Sequence, residues 1–371
     1  MPLENARVDA GRSKKKAAMG RRPLKSTSLK ELSAILKLSQ STVSRVINGE
    51  GDKFRIARET QKRVLHGADV HGYSANTLAR SLRQKRSYTV GVIVPEISEG
   101  YSTAVLSGIE DELLKDGYFY FVVSHRHRPE LLKGYPRMML ARAVEGIIAV
   151  DTAIEDELPV PVVSVSGHRR REGMVNIELD HDQAAHLALS HLKSLGHHQI
   201  AFIKGQAFSS DTNRRWRAIV ETAKALEIAI HPQLVAQLEG MESGPGPGME
   251  VTRQLLQTNQ PFTALLAFND VTAMGAILAL REAGLRVPSD ISVVGFDDVL
   301  AASTYNPPLT TVRQPLRNMG QTAAVTLLRL IRDETSHPHP AAITVYPNLV
   351  VRKSTAQASA CAPQATTAAT V

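Results

Sequence analysis

The chain has 371 residues, of which 43% are hydrophobic, 22% charged and only 5% aromatic. This composition excludes a largely disordered chain, no run reaches the ~18 apolar residues of a membrane helix, and one cysteine excludes an intrachain disulfide. The net charge of +8 is unevenly divided: residues 1–87 hold 20 Lys and Arg against 7 Asp and Glu (net +13), and residues 88–371 hold 24 against 29 (net −5).

Residues 1–27 are rich in Lys and Arg, poor in large apolar side chains and without periodicity. This pattern predicts a disordered basic arm. Only Ala17-Ala18-Met19 stands where a signal peptide needs an apolar core, so we expect a cytoplasmic protein and no membrane partner. A basic segment on a mildly acidic body indicates a polyanionic partner at one end of the chain, although a solvated basic tail would have the same composition.

Residues 28–73 are predicted to form a small helical headpiece. Ser28 followed by Glu31 fits a capping box at the start of a first helix. Apolar periodicity predicts a second helix from Gln40 to Asn48 and a further amphipathic segment from about Arg58 to Leu65. Two short helices joined by a tight turn make a helix-turn-helix, which the third segment can close into a three-helix core.

The second of these helices carries the side chains expected to contact DNA, because its N-terminal residues reach base edges in the major groove. Glutamine suits adenine, arginine suits guanine and serine suits either, so Gln40, Ser41 and Arg45 are predicted to contact bases. Phosphate contacts, which position the protein without reading sequence, are predicted for Ser39, Thr42 and Asn48. The alternative is that Ser39 is only a helix cap and Arg45 only a surface charge.

Between residues 88 and 353, apolar strand candidates alternate with helical stretches. The strand candidates are Thr89–Val94, Phe119–Val123, Gly146–Val150, Val160–Val165, Ile200–Lys204, Ala264–Phe268 and Ser292–Phe296. The helical stretches include Ser107–Lys115, Asp182–Leu195, Arg214–Leu226 and Thr272–Ala283. This alternation predicts an α/β core of parallel sheets covered on both faces. Its length predicts two similar lobes with a ligand cleft beyond the strand ends. Residues 354–371, rich in Ser, Thr, Ala and Gln, are predicted to form a disordered tail.

Several segments share the motifs of one known family. In chain order they are Ser39-Gln40-Ser41-Thr42-Val43-Ser44-Arg45-Val46-Ile47-Asn48-Gly49, Gly72-Tyr73, Asn76, Leu78-Ala79-Arg80-Ser81-Leu82, Val90-Gly91-Val92-Ile93-Val94-Pro95, Leu195-Gly196-His197, Ile200-Ala201-Phe202-Ile203, Phe268-Asn269-Asp270, Ala273-Met274-Gly275-Ala276, Val287-Pro288-Ser289-Asp290-Ile291-Ser292-Val293-Val294-Gly295-Phe296-Asp297-Asp298 and Pro308-Leu309-Thr310-Thr311-Val312. They resemble the lactose-repressor (LacI/GalR) family of bacterial transcription regulators, over about residues 28–350.

The resemblance implies a homodimer, possibly a tetramer, whose helix-turn-helix headpieces bind a double-stranded DNA operator and whose two-lobed core is like a periplasmic binding protein. It also implies that residues 74–87 form a hinge helix and linker, in which Asn76, Ala79 and Leu82 contact DNA. Leu82 matches the apolar residue that wedges between base pairs. Alternatively, Leu78 and Leu82, spaced i and i+4, form an ordinary core face.

The resemblance further implies a small effector, often a sugar or purine, in the cleft between the lobes. The candidate effector-binding residues are Tyr101, Ser102, Asp151, Arg215, Asn269, Phe296 and Asp297. Arginine and aspartate can bond hydroxyl or carboxylate groups, and aromatic rings can pack on an apolar face. The alternatives are that Asp297 caps a turn, that Tyr101 is core and that Arg214 faces the cleft instead of Arg215.

The sequence also departs from the family. Lys37 stands in the turn where the family usually has glycine, Ala75 replaces a usual proline before the hinge helix, and Glu50-Gly51-Asp52-Lys53 lengthens the following loop. That longer loop resembles the one in fructose-repressor-like members. Near the expected pocket, Glu99-Gly100-Tyr101-Ser102 and Ser166-Gly167-His168 also differ from the common pattern. The effector therefore cannot be transferred from a relative, and a sugar or sugar acid is our preference.

Other chemistry is poorly supported by the sequence. It has no GxxxxGK[ST] phosphate loop and no GxSxG nucleophile turn, and Gly244–Gly248 is predicted to be a flexible loop. His125, His127 and the pair His197-His198 lack metal-ligand partners in sequence, so we predict surface or cap histidines and no metal or cofactor. The resulting hypothesis is a ligand-responsive repressor that is not an enzyme. Its rivals are a sugar-binding protein and a sugar-modifying enzyme.

Overall fold

The structure is a computed structural model, and it describes residues 27–73, 86–98, 100–167, 173–242, 244–332 and 340–359. The chain divides into two compact units, Met1–Lys85 and Arg86–Val371. Three sets of predictions lie outside the described residues. They are the basic arm up to residue 26, the hinge helix with Asn76, Ala79 and Leu82, and the tail beyond residue 359.

The first unit contains the three predicted helices, α1 (Leu29–Leu36), α2 (Gln40–Ile47) and α3 (Arg58–Val70). Their apolar faces meet in a core built from Leu32, Val43, Val46, Val64 and Ala68. The third helix continues five residues beyond its predicted end because Gly67 and Ala68 extend its buried face. The prediction of a helix-turn-helix closed by a third helix is therefore confirmed.

Local hydrogen bonds define where the first two helices begin. The Glu31 amide donates to Ser28 Oγ at 3.2 Å, and the Ser28 amide donates to Glu31 Oε2 at 2.7 Å, which is the predicted capping box. Ser39 Oγ accepts from the Thr42 amide at 3.1 Å and so caps α2. These side chains satisfy amide groups that have no partner within the helix.

The turn between α1 and α2 contains a lysine in a left-handed conformation. Lys37 has φ 53° and ψ 44°, and its amide donates to Ala34 O at 3.2 Å. A side chain with a Cβ atom pays roughly 1–2 kcal/mol in this region, which glycine avoids.

We expect Lys37→Gly to stabilise the headpiece by about 1 kcal/mol, because relief of the Cβ contact outweighs the added freedom of the unfolded chain. Hydrogen exchange of the α1 and α2 amides in the full-length chain measures the change. Lys37→Ala is the matched control: it keeps the Cβ and should give no comparable gain. Equal protection in both variants would contradict the strain argument.

The second unit contains twelve described strands. In chain order they are β1 (Thr89–Val94), β2 (Phe119–Ser124), β3 (Gly146–Val150), β4 (Val162–Val165), β5 (Met174–Leu179), β6 (Ile200–Lys204), β7 (Val235–Gln237), β8 (Ala264–Leu266), β9 (Ser292–Asp297), β10 (Thr310–Arg313), β11 (Ala342–Val345) and β12 (Asn348–Val350). The helices are α4 (Gly100–Lys115), α5 (Pro129–Leu140), α6 (His181–Ser194), α7 (Ser210–Ala225), α8 (Gly246–Gln257), α9 (Asp270–Glu282), α10 (Leu300–Thr304) and α11 (Leu316–Ile331).

The strands form two sheets, one in each lobe. The first has the order β11-β5-β4-β3-β1-β2 and the second the order β12-β10-β9-β8-β6-β7. Every pair is parallel except β10 with β12. The central strands β3 and β9 are buried along their whole length, as expected for strands covered by helices on both faces. The prediction of two parallel-sheet lobes is confirmed.

The chain passes between the two lobes after β5, after β10 and after β11. After β10 in the second lobe, α11 returns to the first lobe and packs against α4. The polypeptide at these passages lies at the carboxyl ends of the parallel strands, where ligands bind in folds of this kind.

Two predictions about loops are wrong. The glycine-proline segment Gly244–Gly248 is not all loop, because α8 begins at Gly246 and Gly248 is buried against α9. A Cβ at Gly248 would lie 2.5 Å from Thr272 O, so glycine permits this close helix packing.

The tail predicted to be disordered from residue 354 is ordered to residue 359 among the described residues. Ser354 is fully buried, donates from Oγ to Val293 O at 2.6 Å and accepts from the Thr310 amide at 2.8 Å. The Ala356 amide donates to Ser292 Oγ at 3.0 Å. These bonds attach the segment to strands of the second lobe, which its small polar composition did not indicate.

Candidate functional site

An open cavity lies between the lobes, where the parallel strands end, and the space within it together with the adjoining open solvent is about 850 Å³. Both lobes and one passage between them contribute side chains. The first lobe contributes Pro95, Tyr101, His127 and Asp151, the second contributes Gln206, Phe208, Asp211, Arg215, Phe268, Asn269 and Asp297 among others, and the passage after β10 contributes Gln314. The inter-lobe cleft expected from the sequence is therefore present.

Arg215 lies at the base of this cleft and is 4% exposed. Its guanidinium carbon is 3.7 Å from the ring centroid of Phe296 and 4.5 Å from that of Phe268. Nη2 donates to Asp211 Oδ2 at 3.2 Å, and Nη1 donates to Phe268 O. Nε has no hydrogen-bond partner among the described residues, so a buried donor is available beside the cavity.

Asp297 is the last residue of β9 and is paired with a residue that the sequence did not single out. Its Oδ1 accepts from Gln314 Nε2 at 2.6 Å, and its φ of 110° is unusual for a residue other than glycine. Burial raises the pKa of Asp297 well above its usual range, against the opposing effect of the Arg215 guanidinium. Gln314 Oε1 has no partner in the described part of the chain, so a buried acceptor belongs to the same cavity lining as the Arg215 donor.

Side chains of the two lobes also contact each other across one side of the cleft. The Ser210 hydroxyl, at the start of α7, lies 2.7 Å from Ser166 O and 3.0 Å from Asp151 Oδ1, and its single proton can be donated to one of them at a time. Tyr101 donates its hydroxyl to Ser166 Oγ at 2.9 Å. The Ser210 bonds join the second lobe to the first, so they depend on the relative position of the lobes and can respond to a ligand bound between them, whereas the Tyr101–Ser166 bond lies within the first lobe.

Asn269 both caps a helix and lines the cleft. Its Oδ1 accepts from the Thr272 amide at 2.9 Å at the start of α9. Using the carbonyl oxygen in this way leaves the side-chain NH₂ group directed away from the cap and able to donate to a ligand.

Two predicted effector-binding residues do not line the cleft. Ser102 is fully buried on the face of α4 that also carries Val105 and Ile109, and only its neighbour Tyr101 reaches the cavity. Phe296 lies beneath the Arg215 guanidinium instead of on the cavity wall. Arg214, the alternative to Arg215, is exposed and lies outside this cavity.

Several lining residues were not predicted from the sequence. Asp211 stands four residues before Arg215, a spacing that indicates an ion pair on one helix face. Gln314 follows a matched family motif by two residues. His127 and Phe208 stack across the cleft with centroids 4.1 Å apart, a contact between distant segments for which the sequence has no signal.

The histidines were predicted to lie at the surface or in caps, and this is wrong for two of them. His125 is 2% exposed, with Nε2 3.0 Å from Thr152 Oγ1 and Nδ1 accepting from the His127 amide. His197 is 1% exposed and bonds Thr263 and Ala356. The described residues contain no group of three side chains suited to a metal ion.

Burial lowers the pKa of His125 to about 4, and the neighbouring His127 adds to the shift. In the unfolded state the pKa of His125 is about 6.5. Between the two pKa values only the unfolded state binds the proton, so the free energy of unfolding falls as the pH decreases through this range. The free energy of unfolding of the wild type should fall between pH 7 and pH 5. In His125→Gln, which has no imidazole to protonate, this fall should be smaller by about 2 kcal/mol. Urea unfolding of the second unit at both pH values tests this, and identical losses in the two proteins would contradict it.

In the headpiece, the side chains predicted to contact DNA lie on one end and one face of α2. Gln40, Ser41 and Arg45 are exposed. Ser39 Oγ bonds the hydroxyls of Ser41 and Thr42 at 2.9 and 2.8 Å, and Asn48 Nδ2 donates to Ser44 Oγ at 3.3 Å. Arg45 stacks on Phe54, a residue of the lengthened loop that the sequence analysis did not single out.

A helix-turn-helix headpiece followed by a two-lobed core with a ligand cleft defines a class of DNA-binding, ligand-sensing transcription regulators. The pattern of the family described as "Periplasmic binding protein-like domain" matches residues 189–355. Over 339 residues the chain is 32% identical to the HTH-type transcriptional repressor PurR of Haemophilus influenzae, covering 88% of this chain and 98% of that protein. The chain belongs to the LacI/GalR family of bacterial transcription regulators.

Solved structures agree with this assignment. The Lac repressor dimer bound to operator and the anti-inducer ONPF has a TM-score of 0.78 and 28% identity, covering 90% of this chain and all of that one. The complex of the transcriptional regulator CelR with cellobiose has a TM-score of 0.65 and 26% identity, covering 88% and 99%. The protein is thus a DNA-binding regulator controlled by a small-molecule effector, and its relatives are repressors rather than enzymes. No helix in the described ranges is long and apolar enough to cross a membrane.

Proposed function

We propose that this protein is a dimeric, cytoplasmic repressor whose operator affinity is controlled by an uncharged polyhydroxylated compound, a sugar, bound between the lobes. The observation that carries the proposal is the convergence of polar side chains from both lobes around Arg215. Asp151, Asn269, Asp297 and Gln314 surround it with donors and acceptors suited to hydroxyl groups. The cellobiose complex of the related CelR supports a sugar as the class of ligand.

The charge of the cleft favours a neutral sugar over a sugar acid, the two classes that the sequence left open. Four carboxyl side chains, Asp151, Asp211, Glu242 and Asp297, line it. Even with Asp297 protonated, three carboxylates face one arginine, and Arg215 is already bonded to Asp211. An anionic ligand would therefore meet net repulsion, whereas hydroxyl groups can donate to these carboxylates.

On the DNA side, we propose that α2 enters the major groove, where Gln40, Ser41 and Arg45 contact bases and Ser39, Thr42 and Asn48 contact phosphates. The exposure of the first three side chains supports this role. We further propose that the basic arm contacts the operator DNA, as do Asn76, Ala79 and Leu82 of the hinge segment. The operator complex of the related Lac repressor dimer supports two headpieces on one operator.

Coupling between the sites follows as a population shift in this proposal. The effector binds one arrangement of the lobes better, and that arrangement changes how readily the two headpieces occupy their half-sites. A coupling of 1–3 kcal/mol corresponds to roughly 5–150-fold in operator affinity. The Ser210 bonds to Ser166 O and Asp151 Oδ1 across the cleft are contacts that such a movement would change.

DNA binding by the full-length chain tests the regulator function. We expect sequence-selective, salt-sensitive binding to a duplex from its own promoter region. Arg45→Ala should relax base preference, whereas removal of residues 1–25 should weaken binding to all duplexes alike. Binding without selectivity, or the opposite pattern in the two variants, would contradict the proposed roles.

Thermal denaturation with added ligands tests the effector class, because a ligand of the folded state raises the apparent stability. Neutral sugars, the corresponding sugar acids and nucleobases form the panel. We expect a neutral sugar to raise the unfolding temperature and the corresponding sugar acid to leave it unchanged. A shift with an acid or a nucleobase alone would overturn the proposed class.

A further inference from the structure

The loop between α2 and α3 places an aromatic ring on the predicted base-reading arginine. Arg45 Cζ lies 3.8 Å from the ring centroid of Phe54, well inside the ~6 Å range of a cation–π contact. Phe54 is 41% exposed and is not part of the headpiece core. A ring on the face of a guanidinium group can restrict the orientation of that group.

Hydrogen bonds within the loop and to α3 hold the ring in this position. The Phe54 amide donates to Glu50 O at 3.1 Å, and the Ile56 amide donates to Gly51 O at 2.9 Å. Gln61 Nε2, on α3, donates to Asp52 Oδ1 and to Ile56 O, both at 2.8 Å. The lengthened loop is therefore a folded support for the ring.

Glycine at position 51 leaves room for the hydrogen-bonded side chain of Gln61 on α3. A Cβ at Gly51 would lie 2.5 Å from the Gln61 side chain, and Gly51 is buried. Ile56, at the end of the loop, packs against the headpiece core. Both ends of the segment that carries Phe54 are thus fixed to the three-helix core.

Stacking leaves the arginine able to recognise a base. The guanidinium is planar, so a ring on its face leaves the N–H groups at its edge free to donate. Bidentate recognition of guanine O6 and N7 uses that edge. Holding the side chain in one orientation also reduces the conformational entropy that a free arginine loses on binding.

We propose that Phe54 is a positioning residue that determines base selectivity by holding the Arg45 guanidinium in the orientation that contacts guanine. The inference rests on the proposed role of α2 in the major groove. Phe54 acts through Arg45, so its effect is confined to the base pair that Arg45 contacts. The lengthened loop is then part of the recognition surface.

Selection from a randomised duplex library by full-length wild type identifies the preferred site, and Kd values for single-base-pair variants of that site measure selectivity. Arg45→Ala should lose preference for guanine at one position in each half-site. Phe54→Ala should reduce the preference for guanine at that same position, measured as a ratio of Kd values, by roughly 5–30-fold and should change it little at other positions. Phe54→Tyr, which keeps the ring, should retain most of the preference.

Two further variants separate positioning from other causes. The double variant Arg45→Ala with Phe54→Ala should match Arg45→Ala alone, because Phe54 has nothing left to position. Lys53→Met, beside Phe54 in the same loop, removes one positive charge and should weaken binding to every duplex to a similar degree. Circular dichroism and hydrogen exchange of the headpiece show whether Phe54→Ala is folded.

Additive losses in the double variant, a uniform loss with Phe54→Ala, or unchanged selectivity in a folded Phe54→Ala protein would overturn the inference. In these cases a position-specific loss with Arg45→Ala leaves the proposed function intact. If Arg45→Ala has no position-specific effect, both the proposed role of α2 and this inference are wrong.

Discussion

Replacing Arg215 by alanine should abolish the effector response and weaken effector binding by at least roughly 100-fold, because the buried guanidinium that we propose as a donor to the ligand is lost. It should also lower the free energy of unfolding of the core by about 3 kcal/mol, since the buried Asp211 carboxylate loses its ion pair with Arg215, while His181 Nε2 stays 3.5 Å from it. Operator binding by protein that remains folded should persist. Ligand-dependent thermal shifts and operator titrations measure the two effects separately.

A paired substitution distinguishes binding from stability. Asp211→Asn combined with Arg215→Met removes both charges and keeps similar volumes, so most of the lost stability should return. Effector binding should remain absent, because the Arg215 donor is still missing. Recovery of effector binding in the paired variant would show that Arg215 is structural and does not contact the ligand.

Gly108→Ala should destabilise the first lobe by about 3 kcal/mol or more, because a Cβ there would lie 1.9 Å from Arg317 O. Gly108 lies on α4 where α11 crosses it, and Gly320 on α11 makes the reciprocal approach, with a Cβ 2.0 Å from Val105 O. The two helices must separate to accommodate a methyl group. Chemical denaturation of the full-length chain measures the loss.

Gly134 provides the matched control in the same lobe. It lies within α5, and a Cβ there would meet no atom within 4 Å. Gly134→Ala should therefore stabilise the chain by about 0.5–1 kcal/mol through helix propensity alone. A loss in both variants of similar size would mean that helix crossing is not the reason for the glycine at position 108.

The headpiece could be predicted almost completely from the sequence because its information is local. Ser28, Glu31 and Ser39 act on amides three residues away, and apolar side chains at helical spacing form the core. The seven predicted strands of the lobes are likewise confirmed, with shifts of one or two residues at some ends, whereas the six-residue interior strand β5 was not predicted. Short or edge strands such as β7 and β12 have too few residues for a distinct pattern.

The effector site shows where local information ends. Tyr101 and Ser102 are neighbours, and both were predicted to contact the effector, yet only Tyr101 faces the cavity. Which side of α4 faces the cleft depends on how that helix packs against α11, a segment more than 200 residues later. Tertiary packing likewise places Phe296 beneath the Arg215 guanidinium and its neighbour Asp297 in the cavity lining.

By itself, the sequence determined the charge division, the helix-turn-helix, the two-lobed α/β core and the family, because these depend on composition, period and motif order. The tertiary structure alone decided which side chains share the cleft, the burial of His125 and Ser354, and the contact of Phe54 with Arg45. Each of these features brings together segments that are distant along the chain, or involves a loop without periodicity. Such contacts depend on the packing of whole elements, which no short stretch of sequence encodes.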